Sequence, residues 1–537
     1  MQRLIGLDVV ELSLPRILAE RARDDRNRLF LRYLSDDRCF TFGEFEALST
    51  RVAHGLLKAG IRPGEHVAIM MDNSPETLIA MFAIAKLRAV AIPINTASRG
   101  QLLHYYLSQS DAVALIIDAS LLARFIEIET ELRLTIVKGP ISRLDPKKSS
   151  AAWLGFESCL AGGTMDPLDI DVGCYDLAMI AYTSGTTGPS KGCLLSQAAA
   201  LSFGFSNVEA HGYRSSDTFY TCLPFFHVNA LGAVYSALTT GGTVVVADRF
   251  SASRFWQDIR RANATVTNLL GSMANFLWSQ PVSAADRNHA LRLISISPVP
   301  GFAREFEQRF GTRVISSYGI SDFALATAYT AIDSDERLGS TGRVRRGIEI
   351  GILDDNDYPV SSGKIGEIVL RSKIPWRAGA GYYKMPEATV EAFKNGWFHT
   401  GDRGYIDTQG YLYFVDRKKD AIRRRGENIS AFEVEQIIAL HPAVQEATVY
   451  PLTSETSEDE VAASVILKDG ADLSENDLVA YCADSMAAYM VPRYIAFVSD
   501  FPRTPSQKIE KYKLRAQAEQ NRNTMWDRES HGSKVIR

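Results

Sequence analysis

The sequence lacks the features that define several large classes of protein. Its six cysteines are scattered, with no C-x-x-C pair, so it has neither the ligand spacing of a zinc site nor the density of a disulfide scaffold. No apolar run reaches the roughly 18 residues that a membrane-spanning helix needs. The 59 Lys and Arg residues are offset by 63 Asp and Glu residues, whereas nucleic-acid-binding domains usually have a basic face. We therefore expect no membrane span and no nucleic-acid partner.

The N-terminus also lacks the pattern of a targeting signal. The opening stretch, M-Q-R-L-I-G-L-D-V-V-E-L, is interrupted by an acidic residue before any sustained apolar core, and a secretory signal peptide needs such a core. Because scattered cysteines are typical of reduced thiols, the sequence predicts a cytoplasmic protein. A chain of 537 residues exceeds the size of one hydrophobic core, so two or more domains are expected.

What the sequence does contain is an alternation of strand and helix patterns. Apolar runs at Leu29–Tyr33, His66–Met70 and Ala89–Pro93 are separated by segments with helical spacing. One of these helices opens with a capping-box spacing at Thr41 and Glu44. Strands that alternate with helices predict parallel β-α units whose sheet is buried on both faces. The expected fold class is therefore α/β.

The residue pattern changes in the second half of the chain. A Gly-rich, strand-dense stretch from about 338 to 415 predicts a β-rich subdomain, and the helix and strand patterns beyond it predict a small α+β domain. We expect a large N-terminal domain over 1–415, a hinge over 416–419, a small C-terminal domain over 420–516 and a peripheral polar tail over 517–537. The Pro-, Gly- and Ser-punctuated region 139–170 is expected to be irregular.

The most informative stretch is Ala181–Gly192, which reads A-Y-T-S-G-T-T-G-P-S-K-G and follows an apolar strand pattern. Glycine lets backbone N–H groups turn toward a ligand, hydroxyl groups add donors, and Lys191 adds positive charge. Such a loop suits a polyphosphate. It is not the P-loop of nucleotide triphosphatases, because Pro189 and Ser190 separate Gly188 from the lysine and Gly192 replaces the required Ser or Thr.

This stretch resembles, nearly letter for letter, the phosphate loop of the adenylate-forming superfamily, which includes acyl-CoA synthetases, luciferase and peptide-synthetase adenylation domains. Four more stretches resemble the superfamily's motifs and stand in its order: S-Y-G-I-S-D (317–322), W-F-H-T-G-D (397–402), D-R-K-K-D…R-G-E-N-I (416–429) and P-R-T-P-S-Q-K-I-E-K (502–511). Residues 295–300 read S-I-S-P-V-P, and Ser297 to Pro300 fill the place of the family's adenine segment. The resemblance implies that the large domain is an AMP-binding domain and that the small one is mobile.

Residue roles follow from this resemblance alone. Thr183, Asp322 and Lys508 would be catalytic, with Asp322 serving Mg²⁺, Lys419 would be the hinge, and Gly426 and Glu427 would lie on the CoA side. The residues implied to bind ATP or AMP are Thr183, Ser184, Gly185, Thr186, Thr187, Gly188, Lys191, Ser297, Pro298, Val299, Tyr318, Gly319, Ile320, Ser321, Asp402, Arg417 and Lys508. The chain departs from the usual pattern at Asp322, where the family has Glu, and at Gln507, where it has Gly.

The acyl pocket is also implied by the resemblance. Its residues would be His227, Val228, Asn229, Gly232, Ser272, Met273, Phe323 and Ala324. Because these are small or apolar, we expect an uncharged and fairly roomy acyl group, with weak discrimination among neighbouring acids.

The function implied is an ATP-dependent acyl-CoA ligase that joins a carboxylic acid to CoA through an acyl-adenylate, with release of AMP and diphosphate. The segment V-D-R-K-K-D-A-I-R-R-R-G-E-N-I-S and the later W-D-R-E resemble the crotonobetaine/carnitine-CoA ligase branch. The expected partners are a small carboxylic acid, ATP, Mg²⁺ and CoA, and a homodimer is left open. Two alternatives stay open: an acyl-AMP ligase that loads a carrier protein, and a catalytically silent nucleotide-binding homologue.

Overall fold

The computed structural model describes residues 3–4, 7–8, 11–126, 128–140, 151–183, 190–417, 421–424, 427–453, 459–486, 488–503 and 509–531. The α-helices are α1 Leu14–Asp24, α2 Phe42–Lys58, α3 Pro75–Lys86, α4 Gly100–Gln109, α5 Leu122–Phe125, α6 Phe156–Gly162, α7 Gln197–His211, α8 Val228–Thr240, α9 Phe255–Ala262, α10 Gly271–Trp278, α11 Ala303–Phe310, α12 Pro386–Ala392, α13 Ala431–Ala439, α14 Glu475–Ser485 and α15 Lys511–Gln520. None of the helices in these ranges is long and apolar enough to cross a bilayer.

The strands are β1 Arg3–Leu4, β2 Leu7–Asp8, β3 Leu29–Tyr33, β4 Cys39–Thr41, β5 His66–Met70, β6 Val90–Pro93, β7 Ala112–Asp118, β8 Leu134–Lys138, β9 Ala152–Gly155, β10 Leu177–Thr183, β11 Lys191–Ser196, β12 Thr218–Thr221, β13 Thr243–Val246, β14 Val266–Leu270, β15 Leu293–Ser297, β16 Arg313–Ile315, β17 Thr327–Ala328, β18 Gly342–Val344, β19 Ile348–Leu353, β20 Gly366–Ser372, β21 Phe398–Ile406, β22 Tyr411–Arg417, β23 Ala421–Arg424, β24 Glu427–Ser430, β25 Val444–Thr453, β26 Asp459–Leu467, β27 Tyr494–Phe497 and β28 Trp526–Asp527. Short 3₁₀ helices cover Ala119–Leu121, Asp335–Arg337, Lys394–Gly396 and Arg522–Thr524.

Two seven-stranded sheets form the body of the large domain, in the orders β11-β10-β6-β5-β7-β8-β9 and β16-β15-β14-β12-β13-β3-β4. Most of their strand pairs are parallel, while the β10–β11 and β3–β4 pairs are antiparallel. Helices α3, α7 and α8 are buried along most of their length between elements of this body. This confirms the α/β class expected from the alternating patterns.

A six-stranded antiparallel sheet, β17-β18-β22-β21-β20-β19, forms the β-rich subdomain. Its register matters for function because it places Asp402 of β21 directly opposite Arg417 of β22. The neighbouring pair, Arg403 and Asp416, is joined by two hydrogen bonds of 2.7 and 2.6 Å. Cross-strand pairs of this kind fix the register of the two strands.

The C-terminal domain contains the four-stranded sheet β25-β26-β27-β28 and the β23–β24 hairpin. The sequence predicted a peripheral tail after residue 516, but β28 of that tail pairs with β27 and completes the sheet. Arg493 binds both carboxylate oxygens of Asp527 at 3.1 Å, and Trp526 packs against the domain core. These contacts hold a polar segment in the fold, so the described tail, through residue 531, is part of the domain.

The C-terminal domain rests on the large domain through helix α10 and the turn after β15. Gly301 N donates to Gln436 Oε1 at 3.0 Å, and the Arg503 guanidinium lies 5.9 Å from the ring centroid of Phe276 in α10. Phe414 of β22 packs edge-on against Phe432 of α13. The two domains therefore meet beside the ends of β15 and β22, where several predicted site residues lie.

One connecting region is more regular than the sequence suggested. Within the segment expected to be irregular, residues 152–155 form β9 and residues 156–162 form α6. The α6 helix packs against α2 at Gly55, where an added Cβ would lie 2.3 Å from the backbone oxygen of Cys159. A seven-residue helix is marginal by itself, and this close tertiary contact stabilises it.

Candidate active site

The predicted phosphate loop connects the antiparallel strands β10 and β11. Thr183 and Lys191 lie opposite each other at the loop end of the hairpin, and Thr183 Oγ1 donates to the Lys191 backbone oxygen at 3.4 Å. Ser190 is anchored from α4: Tyr105 Oη donates to its backbone oxygen at 2.7 Å, and Tyr106 Oη lies 3.2 Å from its Oγ. Ser184, Gly185, Thr186, Thr187 and Gly188 lie outside the described residues.

Asp322, whose carboxylate is predicted to bind Mg²⁺, is held close to this hairpin. Tyr382 Oη donates to Asp322 Oδ2 at 2.7 Å, and Lys191 Nζ lies 4.5 Å from the Tyr382 ring centroid. Burial and the Asp322 carboxylate raise the pKa of Tyr382 well above its usual range, so its hydroxyl stays a donor. Tyr382 therefore joins two predicted groups, the phosphate-loop lysine and the metal carboxylate.

A magnesium ion would find a limited protein ligand set here. In the described ranges no group of three or more His, Cys, Asp or Glu side chains is arranged to hold a metal. Mg²⁺ is commonly bound by one or two carboxylates together with substrate phosphates and water. The single carboxylate of Asp322 therefore fits a metal that arrives with a nucleotide.

The predicted ribose residues form a closed set of contacts. Tyr318 Oη donates to Asp402 Oδ2 at 2.8 Å, Arg417 Nε lies 3.2 Å from Asp402 Oδ1, and the Asp402 N–H donates to Thr400 Oγ1 at 3.0 Å. The Asp402 side chain is only 4% exposed, whereas that of Arg417 is 45% exposed. Burial and Asp402 raise the pKa of Tyr318 well above its usual range. Asp402 is thus held as a hydrogen-bond acceptor at the edge of the site.

The predicted adenine segment meets the Tyr318 loop from the other side. Ser297 Oγ donates to the Ser317 backbone oxygen at 3.1 Å, and the peptide bond between Ser297 and Pro298 is cis. Pro298 is exposed and Val299 is half-buried.

The loop after Tyr318 turns back tightly. Gly319 is bridged to Leu325, and a Cβ on Gly319 would lie 2.8 Å from the Ala324 backbone oxygen. Ile320 and Ser321, both half-buried, complete the turn that carries Asp322. The loop 318–322 therefore connects the ribose contacts to the metal carboxylate, and the two sets belong to one site.

The predicted acyl residues fall into three environments. Asn229 and Gly232, on α8, line a cavity of about 40 Å³. His227, Val228 and Ser272 are half-buried outside the cavity wall. Met273, Phe323 and Ala324 are packed in hydrophobic cores.

The cavity that Asn229 and Gly232 line is small, and its wall mixes polar and apolar side chains. Its wall is built from α7, α8, β12, β14 and β15, and it consists of Asn207, Tyr213, Phe219, Tyr220, Asn229, Gly232, Ala233, Ser236, Val266, Thr267, Asn268 and Ser295. Asn268 Nδ2 donates to Asn229 Oδ1 at 2.8 Å, while Asn268 Oδ1 is buried with no partner in the described chain. The amide and hydroxyl groups of this wall can form hydrogen bonds with a polar ligand.

Several residues that contact the predicted site were not found from the sequence. Tyr382 lies in a G-Y-Y-K stretch, and only its contact with Asp322 distinguishes it from the neighbouring tyrosine. Asn207, Asn268 and the buried Arg345 belong to segments without any motif. Lys419, Gly426 and Lys508 lie outside the described residues, as does the side chain of Glu427.

Family models match both parts of the chain. Residues 18–383 match the AMP-binding enzyme family, and residues 433–508 match the C-terminal domain of AMP-binding enzymes. A curated relative, the crotonobetaine/carnitine–CoA ligase of Salmonella typhimurium (strain LT2), is 32% identical over 487 residues, which cover 89% of this chain and 93% of the relative.

Solved structures agree with this match over nearly the whole chain. The anthranilate CoA ligase AuaEII in complex with anthranoyl-AMP superposes with a TM-score of 0.86 at 25% identity and covers 97% of this chain and 100% of its own. ATP-bound MatB from Rhodopseudomonas palustris gives 0.82 at 26% identity, with 94% and 99% covered. The o-succinylbenzoate CoA synthetase MenE from Bacillus subtilis, in complex with AMP, gives 0.80 at 27% identity, with 94% and 98% covered.

Proposed function

Because the chain belongs to the AMP-binding enzymes and is an ATP-dependent acyl-CoA ligase, we propose how its residues divide between the two half-reactions. In the first, a carboxylate attacks the α-phosphorus of ATP and displaces diphosphate, which forms an acyl-adenylate. In the second, the thiol of CoA attacks the acyl carbon and displaces AMP. No protein nucleophile is needed, since positioning and charge stabilisation carry this chemistry.

One observation supports the division most strongly: the loop 318–322 links the Asp402 contacts to Asp322 and Lys191. Asp402 and Arg417 hold the ribose, and Tyr318 packs beside the adenine with its hydroxyl anchored on Asp402. Thr183, Lys191 and the loop residues 184–188 receive the phosphates. Ser297, Pro298 and Val299, together with Gly319, Ile320 and Ser321, form the walls of the nucleotide site.

Magnesium fits at Asp322, where it would neutralise charge that develops on the phosphates. Lys508 approaches the reacting oxygens in the first half-reaction. Its neighbours support this role: Arg503 and Ile509, which flank residues 504–508, are bridged to each other, and Arg503 lies over Phe276 of α10. The replacement of Gly by Gln507 leaves Lys508 in register with the motif.

The second half-reaction requires the C-terminal domain to move. Lys419 follows Arg417 at the end of β22 and is the proposed pivot, because rotation there would exchange Lys508 for Gly426 and Glu427 at the site.

All six cysteines are free thiols, which supports a cytoplasmic location. Light scattering on the purified protein would distinguish a homodimer from a monomer.

The decisive experiment is an AMP-release assay in which ATP, Mg²⁺ and a panel of carboxylic acids are supplied with or without CoA. The panel starts from acids named for relatives, namely carnitine, crotonobetaine, anthranilate and o-succinylbenzoate. We expect acid-dependent ATP–diphosphate exchange without CoA and acyl-CoA formation with it. Exchange without any transfer to CoA would favour a carrier-protein ligase, and absence of exchange with every acid would contradict an active ligase.

A further inference from the structure

A buried cation that forms no ion pair with a described carboxylate stands beside the proposed acyl cavity. The Arg345 side chain is 7% exposed. Its Nη2 donates to Asn207 Oδ1 at 3.1 Å and to Ser317 Oγ at 3.0 Å, and its Nε donates to the Thr327 backbone oxygen at 3.1 Å. Its Nη1 is buried and has no hydrogen-bond partner in the described part of the chain.

These contacts place the guanidinium between the nucleotide and acyl parts of the site. Ser317 immediately precedes Tyr318, whose hydroxyl binds Asp402. Asn207 lines the cavity together with Asn229 and Gly232, two of the predicted acyl residues. Arg345 itself is not part of the cavity wall but stands directly behind Asn207, so a substrate group at the Asn207 end of the cavity would lie next to its positive charge.

The surroundings leave the positive charge uncompensated. Arg377, which is 1% exposed, lies near enough to lower the pKa of Arg345, and burial and Arg377 together bring that pKa to about 9. The opposing influences are the weaker ones of Tyr213 and Glu209. Glu209 is partly exposed, and its Oε1 lies 3.8 Å from Nη1 of the exposed Arg346. Neither Arg345 nor Arg377 forms an ion pair with a described carboxylate.

The nearby histidine does not change this balance. His211 Nε2 lies 3.5 Å from Ser317 Oγ, and burial together with Arg345 lowers the pKa of His211 well below its usual range. The imidazole is therefore neutral at pH 7. A charged group buried without a partner is destabilising, and Arg345 remains charged at neutral pH. An anion that entered the cavity would supply the missing partner.

We infer that the acid substrate is a compact dicarboxylate, whose second carboxylate lies at the Asn207 end of the cavity, where the charge of Arg345 behind Asn207 compensates it, while the first is adenylated. This rests on the proposed function and adds the substrate class to it. The cavity of about 40 Å³ has room for a few atoms beyond the reacting carboxylate, since one water needs roughly 10–15 Å³. An acid with a cationic group at the same position is disfavoured by charge repulsion.

The test uses acids matched in length that differ in the charge of their far end. One set is succinate, succinamate and 4-aminobutyrate, and the other is glutarate, glutaramate and 5-aminopentanoate. Acid-dependent ATP–diphosphate exchange gives kcat/KM for each. In the wild-type enzyme we expect one dicarboxylate to exceed its monoamide at least about tenfold, the scale of a charge-assisted hydrogen bond, and the amino acid to be the poorest.

Substitutions then assign the preference to Arg345. Arg345→Met should lower kcat/KM for the dicarboxylate far more than for the monoamide, so that their ratio falls toward one, and Arg345→Lys should keep part of the ratio. Arg346→Met is the matched control, because it removes an adjacent, exposed arginine and should leave the ratio unchanged. Equal losses with both acids in Arg345→Met would indicate a purely structural arginine and overturn the inference.

The ratios of kcat/KM between matched acids in the wild-type enzyme test the dicarboxylate class even if Arg345→Met does not fold. A wild-type preference for the monoamide or the amino acid would overturn the dicarboxylate class and leave the ligase function intact. So would a preference for monocarboxylates whose far end is uncharged, such as butyrate and benzoate. Absence of exchange with every acid, whatever the charge of its far end, would overturn the proposed function itself.

Discussion

The nucleotide side and the acyl side of this site differ in how their charges are compensated. On the nucleotide side, Asp402 contacts Tyr318 and Arg417, and Asp322 accepts from Tyr382. On the acyl side, Arg345 is buried with no carboxylate paired to it in the described chain. The nucleotide is the same in every turnover, so its site can be complete in advance. The acyl side retains an unmatched charge, which a specific acid can satisfy.

The largest expected effect tests the nucleotide side. Lys508→Ala should reduce acyl-AMP formation by ~10²-fold or more, as when one preorganised transition-state donor is lost. Because this lysine serves the reacting phosphate, the loss should be similar for every acid. Exchange kinetics with two acids would measure it, and Lys513→Ala, which removes an exposed lysine paired with Glu510, is the control. Near wild-type exchange in the folded variant would contradict the assignment.

A smaller effect should distinguish a role in ATP binding from a role in stability for two aspartates on adjacent strands, Asp402 and Asp416. Asp402→Ala removes the acceptor of Tyr318 and the partner of Arg417, so we expect the KM for ATP to rise about tenfold, as when hydrogen bonds to a charged group are lost. Asp416→Ala breaks the buried pair with Arg403 and should instead lower the free energy of unfolding by about 3 kcal/mol.

Urea unfolding and ATP titrations on both variants would distinguish the two roles. If Asp416→Ala raised the KM for ATP as much as Asp402→Ala does, Asp402 would have only the structural role of its neighbour.

The smallest effect concerns the metal. Asp322→Ala should raise the Mg²⁺ concentration for half-maximal exchange about tenfold, the scale on which groups around a metal alter its affinity. Asp322→Glu should stay active, because it restores the residue usual in the family. Titration of Mg²⁺ at saturating ATP measures this. An unchanged Mg²⁺ requirement in the alanine variant would assign Asp322 to another task, such as orienting Tyr382.

Sequence patterns with a local physical cause were reliable in this chain. The capping box at Thr41 and Glu44 forms as predicted, with both reciprocal bonds present. The apolar run at Leu177–Ala181 begins β10 and leads directly into the phosphate loop. The helix expected to open at His227 begins at Val228, with His227 as its N-cap. Each depends on residues a few positions apart, so the sequence alone contains the necessary information.

Contacts between distant residues decided the rest. The α6 helix depends on Gly55 of α2, and β28 depends on its pairing with β27 and on Arg493. Neither has a local signal, because each is stabilised by a partner far away in the sequence.

The character of the acyl site is the clearest case. The chain sequence by itself determined the two-domain α/β organisation and the order of the adenylate-forming motifs. Only the tertiary structure brought Arg345 to Asn207, 138 residues away in the sequence, and buried it near a polar cavity with no ion pair to a described carboxylate. The sequence implied an uncharged acyl group, and the proposal of a dicarboxylate comes from the surroundings of Arg345, because charge compensation is a property of three-dimensional neighbours.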